Sequence, residues 1–511
     1  MNRREMLKLS SLALASAPSP SLAEPVVVPA SGTPIARWDH AELSFAGPAS
    51  GNPFLEVRLT ATFHCKNRAL TMEGFYDGDG VYKVRFMPDD IGTWTWTTAS
   101  PAPELDGKSG SFDCVAPGID NHGPVSVRDG FHFGYADGTP FVEAGTTCYA
   151  WAFQPDATQR QTIETLSQSP FNKLRMCIFP KWYEYNRKEP PMYPFPRNGE
   201  TNDYSRFNPA YFQHLDTLIL ELRRIGVQAD LILFHPYDRW GYQAMPPDVN
   251  ERYLRYVIAR FSAFRNVWWS LANEYDFMKS KTNTDWDSYA RIIGEYDAFG
   301  HLRSIHYGYH QYEYWRAWCS HAGVQDSRLE QSASWRADWQ KPLVFDECKY
   351  EGNIPSMWGN LSGDEMARRF WLAAAQGAYG GHGETYLSPE GVLWWSHGGV
   401  LHGSSPAKIA FLRKILEETI ALGPGPIGFT SFRTNPIAAR RSNGAVIFYY
   451  FDLNQPAEWT FDLPEGKTYS AEYIDTQALT RNPLSGGHAG KVTLQLPGKP
   501  WGSVWFREKG I

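Results

Sequence analysis

Residues 266–276 read NVWWSLANEYD, an apolar and aromatic run suited to a buried strand that ends abruptly in an amide, a carboxylate and an aspartate. Val267, Trp268, Trp269 and Leu271 have the bulk of core residues in a sheet. The stretch WDSYARIIGEYDAFG that follows has the spacing of an amphipathic helix. The same strand-then-helix unit recurs on both sides. Upstream come TPFVEAGTTCYAW with TQRQTIETLSQS, NKLRMCIF with AYFQHLDTLILELRRIG, and VQADLILFH with NERYLRYVIARFSAF. Downstream, RSIHYGYH reads as a fifth strand and SHAGVQD as a weaker sixth backed by SRLEQSASWRADW. KPLVFDE then precedes GDEMARRFWLAAAQGA, and YGGHGETYL precedes SPAKIAFLRKILEETIA. Eight such units over residues 121–423 predict an α/β fold, a (β/α)8 TIM barrel. A doubly wound open sheet is the alternative, but no GxGxxG or GxxxxGK[ST] phosphate loop follows any strand.

The flanks have a different texture. LEVRLTATFHC and GTWTWTT alternate, and GFYDGDGVYKVRFMP reads strand-turn-strand around Gly78, Asp79 and Gly80. These predict an N-terminal Ig-like β-sandwich over residues 24–120, with Pro117, Gly118 and the DNHG after them as its boundary. Beyond LGPGPIGF, segments such as GAVIFYYF, YSAEYIDT and GSVWFRE predict a second β-sandwich over residues 424–511. The first 23 residues have a basic start, a short apolar stretch and SLA before Glu24, the layout of a signal peptide. Arg3 and Arg4, with Leu7 and Lys8, give it a twin-arginine character, so a periplasmic or secreted location is expected; an ordinary Sec signal is the alternative.

Composition narrows the function classes. A net charge of −6 offers no basic footprint for nucleic acid, and no later stretch is long and apolar enough to span a bilayer. Twenty tryptophans and 15% aromatic residues fill cores first, but they also stack on the apolar faces of sugar rings. None of the six cysteines is spaced as CxxC, and HExxH and GxSxG are absent. No metal, cofactor or serine nucleophile is therefore expected. Cys65 and Cys114 share one segment and could pair after export; the other four sit mostly in strand-like runs that suit buried thiols.

In a parallel barrel the chemistry collects at the C-terminal ends of the strands. Glu274 ends strand four and Glu347 ends strand seven, each after a run that would otherwise stay buried, so both face one mouth. Facing carboxylates are the equipment of glycoside hydrolysis, in which one is protonated and the other ionised. A separation of about 5–5.5 Å goes with retention of configuration and about 6.5–9.5 Å with inversion. The structural alternative pairs each Glu with an Arg or Lys at the barrel rim.

An NE pair closing strand four and a Glu closing strand seven resemble the large clan of retaining (β/α)8 glycoside hydrolases. More closely, FVEAGTTCYAW, LANEYD, KPLVFDECKYEGN and LWWSHGGVLHGSSPAKIAFLRKILEE resemble a group of poorly characterised bacterial glycoside hydrolases. Those carry a β-sandwich before a DUF4038-like barrel and a smaller sandwich after it. The resemblance implies that Glu274 is the general acid/base, Glu347 the nucleophile and Asn273 a donor or acceptor for the sugar 2-hydroxyl. It places Arg175 beside Glu347, holding it ionised, and His235 at the end of strand three; for both, a purely structural role inside the barrel is the alternative. The clan usually sets an aromatic hydroxyl from strand six near the nucleophile. Here that position offers Gln325, which leaves Tyr307 or Tyr309 as substitutes. Glu384 brings a third carboxylate to the end of strand eight, where it could bind substrate hydroxyls or alter the acid/base pairing. Asp276, Asp346 and Glu351 read as neighbours that tune pKa. Trp182, Tyr183, Trp240, Trp358, Trp394 and Trp395 all follow strands, so at least one sugar platform is expected, with Trp182 and Trp395 as candidates. A carbohydrate substrate follows. The competing functions are a catalytically silent carbohydrate-binding protein on the same fold and an adhesion role for the sandwiches.

Overall fold

The computed structural model describes residues 34–419, 422–424 and 437–510. The expected signal segment at 1–23 lies outside the described residues. Eight parallel strands form one sheet: β1 (Gly145–Thr147), β2 (Lys173–Cys177), β3 (Gln228–Phe234), β4 (Val267–Ala272), β5 (Arg303–Ser304), β6 (Ala322–Gln325), β7 (Leu343–Glu347) and β8 (Tyr379–His382). The spatial order β5-β4-β3-β2-β1-β8-β7-β6 leaves β5 and β6 at the two ends. One parallel bridge, His306 to Gly323, joins those ends and closes the ring. The closure is reinforced by the Tyr314 hydroxyl, which lies against the carbonyls of Ile305 and Gly323.

Seven helices pack outside the ring: α1 (Asp156–Ser167), α2 (Pro209–Arg224), α3 (Pro247–Phe261), α4 (Asn283–Tyr296), α5 (Ser332–Trp339), α6 (Gly363–Ala375) and α7 (Ser405–Glu417). Their placement follows from the sequence. In α2 the buried residues Tyr211, Phe212, Leu215, Leu218, Ile219 and Leu222 form one stripe. Both α2 and α3 start with a proline, whose missing N–H costs nothing there. In α4, Thr282 and Asp285 form a reciprocal capping box. The eightfold strand-then-helix expectation fails at one point: no helix follows β5. Tyr312, Tyr314 and Cys319 in that connection are buried core side chains instead.

The N-terminal end of the barrel is plugged by a three-stranded antiparallel sheet of Val125–Arg128, His132–Tyr135 and Pro140–Phe141. Its Val125, Phe133 and Phe141 pack on Trp268, Leu302 and Val344 from inside the ring. Above them the interior is charged. Lys173 contacts Asp346 at 2.9 Å and Glu143 at 3.1 Å, while Arg175 contacts Asp346 at 3.0 Å and Asp230 at 3.1 Å. Opposite charges compensate one another there, as buried ions require.

A five-stranded and a three-stranded sheet make the N-terminal sandwich around Phe63, Phe86 and Trp94. It is fastened to the barrel through buried charge. Arg85 holds the Asp216 carboxylate of α2 at 2.6 and 2.9 Å, and Arg260 of α3 reaches Asp77 of the sandwich at 2.7 Å. Removing one partner strands buried charge, so Asp216→Ala is expected to lower unfolding stability by about 3–5 kcal/mol in chemical denaturation. The C-terminal strands form a six-stranded and a two-stranded sheet, and Phe448 and Tyr450 pack on Trp371 of α6. All six cysteines, Cys65 and Cys114 included, are buried free thiols.

Candidate active site

The expected mouth is a cavity of about 530 Å³ at the C-terminal ends of the strands, with both Glu274 and Glu347 in its wall. Glu274 is the second residue after β4, and its backbone is left-handed at φ 51° and ψ 56°. A side chain other than glycine adopts that conformation at a cost, and such residues concentrate at functional sites. The turn is held because the Glu274 N–H donates to His306 Nδ1 at 3.3 Å and the Tyr275 N–H to the His306 carbonyl at 2.9 Å. Three donors reach the Glu274 carboxyl: the Tyr237 hydroxyl, Asn273 Nδ2 at 3.1 Å and Gln325 Nε2 at 3.2 Å.

A bulge brings Glu347 into the same space. Gly323 pairs with Val344 but Gln325 pairs with Glu347, so β7 carries one extra residue in this stretch. Extended chain alternates its side chains, and the bulge breaks that alternation, letting two successive carboxylates face inward. Asp346 turns down to Lys173 and Arg175, while Glu347 faces the cavity. The Tyr149 hydroxyl donates to Glu347 Oε1 and Trp358 Nε1 donates to Oε2 at 3.2 Å. His306 Nε2 stands 3.9 Å from Oε1. Burial, with Arg175 nearby, pushes the His306 pKa well down and keeps the ring neutral. Its Nδ1 accepts from Glu274, so Nε2 is the protonated nitrogen and faces Glu347.

Glu274 and Asp346, the residue before Glu347, sit in unlike surroundings. Burial, and next the charge of Glu347, push the Glu274 pKa up to about 7, against lowering by Lys181, Tyr237 and Gln325. Asp346 is driven the other way, far below the usual carboxylate range, because Arg175 and Lys173 outweigh its burial.

Arg175 makes the structural ion pairs of the alternative reading and stays within charge range of Glu347. Its guanidinium spends its contacts on Asp230, on Asp346 and, at 3.2 Å, on Asn273 Oδ1. It therefore fixes the Asn273 amide, with Nδ2 turned to Glu274, and makes no direct contact with Glu347. His235 is buried outside the cavity lining, with Nε2 on the Phe179 carbonyl at 3.1 Å. Tyr309 is in the cavity wall, 82% exposed, and Asp276 fixes its loop by accepting from the N–H groups of Gly308, Tyr309 and His310. Trp395 and Trp358 also line the wall. Trp182 packs edge-on against Trp240 under Arg239, outside the lining, and Trp394 is buried with Nε1 on Thr146. The aromatic hydroxyl on Glu347 comes from Tyr149, just past β1; Tyr307 lies in the wall with its hydroxyl 3.4 Å from Asp326. Lys181, Tyr183 and Tyr237 complete the mouth. The sequence reading passed over Tyr149, Lys181 and Tyr237, although all three stand within a few residues of a strand end, which was the available signal.

Glu384 lies away from the cavity. It is 1% exposed, accepts from the N–H groups of His402 and Gly403 at 2.6 and 2.8 Å, and its pKa is pushed up to about 7 by burial. Glu351 beside it accepts from the N–H groups of Ser404 and Ser405 at 2.8 and 3.1 Å. With His382 these two carboxylates place potential ligand atoms within 4.8 Å of one another. All four of their oxygens face backbone N–H groups around the start of α7, a positive environment suited to anions rather than to a cation. The pair anchors the loop that leads into α7.

Comparison with known proteins agrees with this fold. A family model described as "Apiosidase-like, catalytic domain" matches residues 128–399, just over half of the 511-residue chain. Residues 34–101 match a domain of unknown function, DUF5060, and residues 435–507 match another, DUF5605. Among solved structures, a "putative glycoside hydrolase" from Bacteroides vulgatus is 36% identical with a TM-score of 0.87, covering 94% of this chain and 100% of that one. A family 5 glycoside hydrolase from the same organism shares the fold at 15% identity and a TM-score of 0.60, covering 76% of this chain and 94% of its own. No curated protein matches significantly.

Proposed function

The chain belongs to the apiosidase-like family of glycosidases, and from that premise we propose that it cleaves its glycoside with retention, using Glu347 as nucleophile and Glu274 as acid/base. The observation that carries the reading is two carboxylates in the wall of one cavity, one of which, Glu274, is raised to about 7 by burial and by the charge of the other, Glu347. A raised carboxyl keeps its proton to give away, and the partner whose charge helps raise it is the group left to attack. In the first step a Glu347 oxygen bonds to the anomeric carbon as the bond to the leaving oxygen breaks, and Glu274 delivers its proton to that oxygen. In the second step Glu274 takes a proton from water, whose oxygen displaces Glu347 from the anomeric carbon.

Asn273, held through Oδ1 by Arg175, reaches the sugar 2-hydroxyl by exchanging the Nδ2 bond to Glu274 for one to the substrate, and Tyr309 and Trp395 offer apolar faces to the rings. Glu384 and Trp182 lie outside the cavity lining and are given no part in binding. The basic, twin-arginine-like N-terminus favours an exported enzyme.

Apiosides are the first substrates to test, because the family takes its name from them. Turnover of aryl glycosides and plant polysaccharides, with the anomer of the first product followed by NMR, tests both activity and retention. Binding without turnover would favour the silent carbohydrate-binding reading instead. The pH profile is a second test. The acid must be protonated in the free enzyme, so kcat/KM is expected to fall as pH rises through about 7, by about tenfold per unit above that point. Loss of this limb in Glu274→Gln is the expected control, and an unchanged limb would assign it to another group.

A further inference from the structure

Lys181 is a cation that the two-carboxylate chemistry does not use. It is 2% exposed and lies in the cavity wall. Its ammonium sits 3.7 Å from the centre of the Tyr149 ring, 4.3 Å from that of Tyr237 and 4.7 Å from that of Tyr183. Aromatic faces attract a cation but offer no lone pair that satisfies an N–H. The hydroxyls of two of these rings are already turned to the carboxylates, Tyr149 to Glu347 and Tyr237 to Glu274. Glu274 and Glu347 act on Lys181 through their charge alone, with no hydrogen bond, and burial holds its pKa below the ordinary lysine value. An ammonium carries three donors. Among the described residues none of the three has a protein acceptor, and the cavity is the open side.

A buried cation without a partner costs stability. The aromatic cage offsets part of that cost, and a bound acceptor would recover the rest. Asn273, Gln325, Tyr149 and Trp358 spend their donors on Glu274 or Glu347, while the Tyr183 hydroxyl and Trp395 Nε1 in the same wall are neutral donors without a partner among the described residues. Lys181 is a charged group of the cavity whose hydrogen bonds are unspent in the protein.

We propose that Lys181 is a substrate-binding residue, its ammonium held by Tyr149, Tyr183 and Tyr237 so that it donates to hydroxyl oxygens of the sugar lying between Glu274 and Glu347. This rests on the glycosidase reading and deepens it. The cage fixes where the donor points, so the enzyme discriminates by the hydroxyl that meets it. A sugar lacking that hydroxyl leaves the ammonium buried and unpaired when bound.

The test compares wild type, Lys181→Met and Lys181→Arg on the aryl glycoside that wild type turns over best, with thermal unfolding of each. Methionine keeps the length and apolar stem but removes the charge. A hydrogen bond from a charged donor predicts a roughly 10- to 100-fold loss in kcat/KM for K181M. Its Tm should equal or exceed that of wild type, because an unpaired buried charge has been removed. K181R, whose planar group misfits a cage shaped for an ammonium, should also lose activity. Wild-type kcat/KM in K181M would overturn the proposal, and so would an activity loss matched by a fall in Tm, which marks a structural role. A wild type that hydrolyses no glycoside would overturn the glycosidase reading itself, and this inference with it.

Discussion

Glu347→Gln is expected to lower kcat on an activated aryl glycoside by on the order of 10⁴-fold or more, equivalent to about 5.5 kcal/mol of transition-state stabilisation. Glutamine keeps the volume of the side chain and an oxygen for Tyr149 or Trp358 to donate to, so the cavity keeps its shape. What disappears is the nucleophile, and with it the covalent step. A second effect has a definite sign. The charge of Glu347 is one of the causes that raise Glu274, second only to burial, so removing it moves the Glu274 pKa down from about 7. Titration of Glu274 in the variant checks that coupling independently of turnover. Undiminished kcat in Glu347→Gln would remove Glu347 from the reaction.

Glu274→Ala is expected to act differently according to the leaving group. Without the proton donor, hydrolysis of a poor leaving group should fall by about 10²–10⁴-fold. An activated aryl group leaves without protonation, so its glycosyl-enzyme should still form and then persist, because water has lost its base. A burst of aryl alcohol followed by a slow steady state is the expected trace. Azide needs no general base and fits the space the shortened side chain vacates. It should accelerate the slow phase and yield a glycosyl azide of retained configuration. Azide rescue of Glu347→Ala with an inverted product would be consistent with the same roles, whereas rescue of Glu274→Ala with inversion would exchange them.

The barrel was legible because periodicity reports burial. NVWWSLANEYD and KPLVFDE are strands too apolar to face water, and a carboxylate at the end of each has nowhere to go except the mouth. No helical segment was read between RSIHYGYH and SHAGVQD, and none forms; what was not legible is how the ring closes there, through the Tyr314 hydroxyl against the carbonyls of Ile305 and Gly323. The bulge in β7 leaves no mark on composition, yet it separates the role of Asp346 from that of Glu347. The resemblance set Arg175 beside the nucleophile, with a structural ion pair inside the barrel as the alternative. The two aspartates that take its charge, Asp230 and Asp346, come from other strands and could be paired with it only in space. Glu384 ends a strand just as Glu347 does. Its fate depends on the N–H groups of residues 402 and 403, which turn it away from the mouth. Tyr149 and Lys181 sit in segments that read as strand and loop, and their direction is set by turns that sequence patterning does not encode.

The most direct test of the paired-carboxylate account is to trap the intermediate. Glu274→Ala, incubated with the aryl glycoside that wild type turns over best, would be quenched in acid, digested and mapped by mass spectrometry. The account predicts one added glycosyl group, on the peptide containing Glu347 and at that side chain. A glycosyl group on any other residue, or an unlabelled protein that releases a product of inverted configuration, would contradict it.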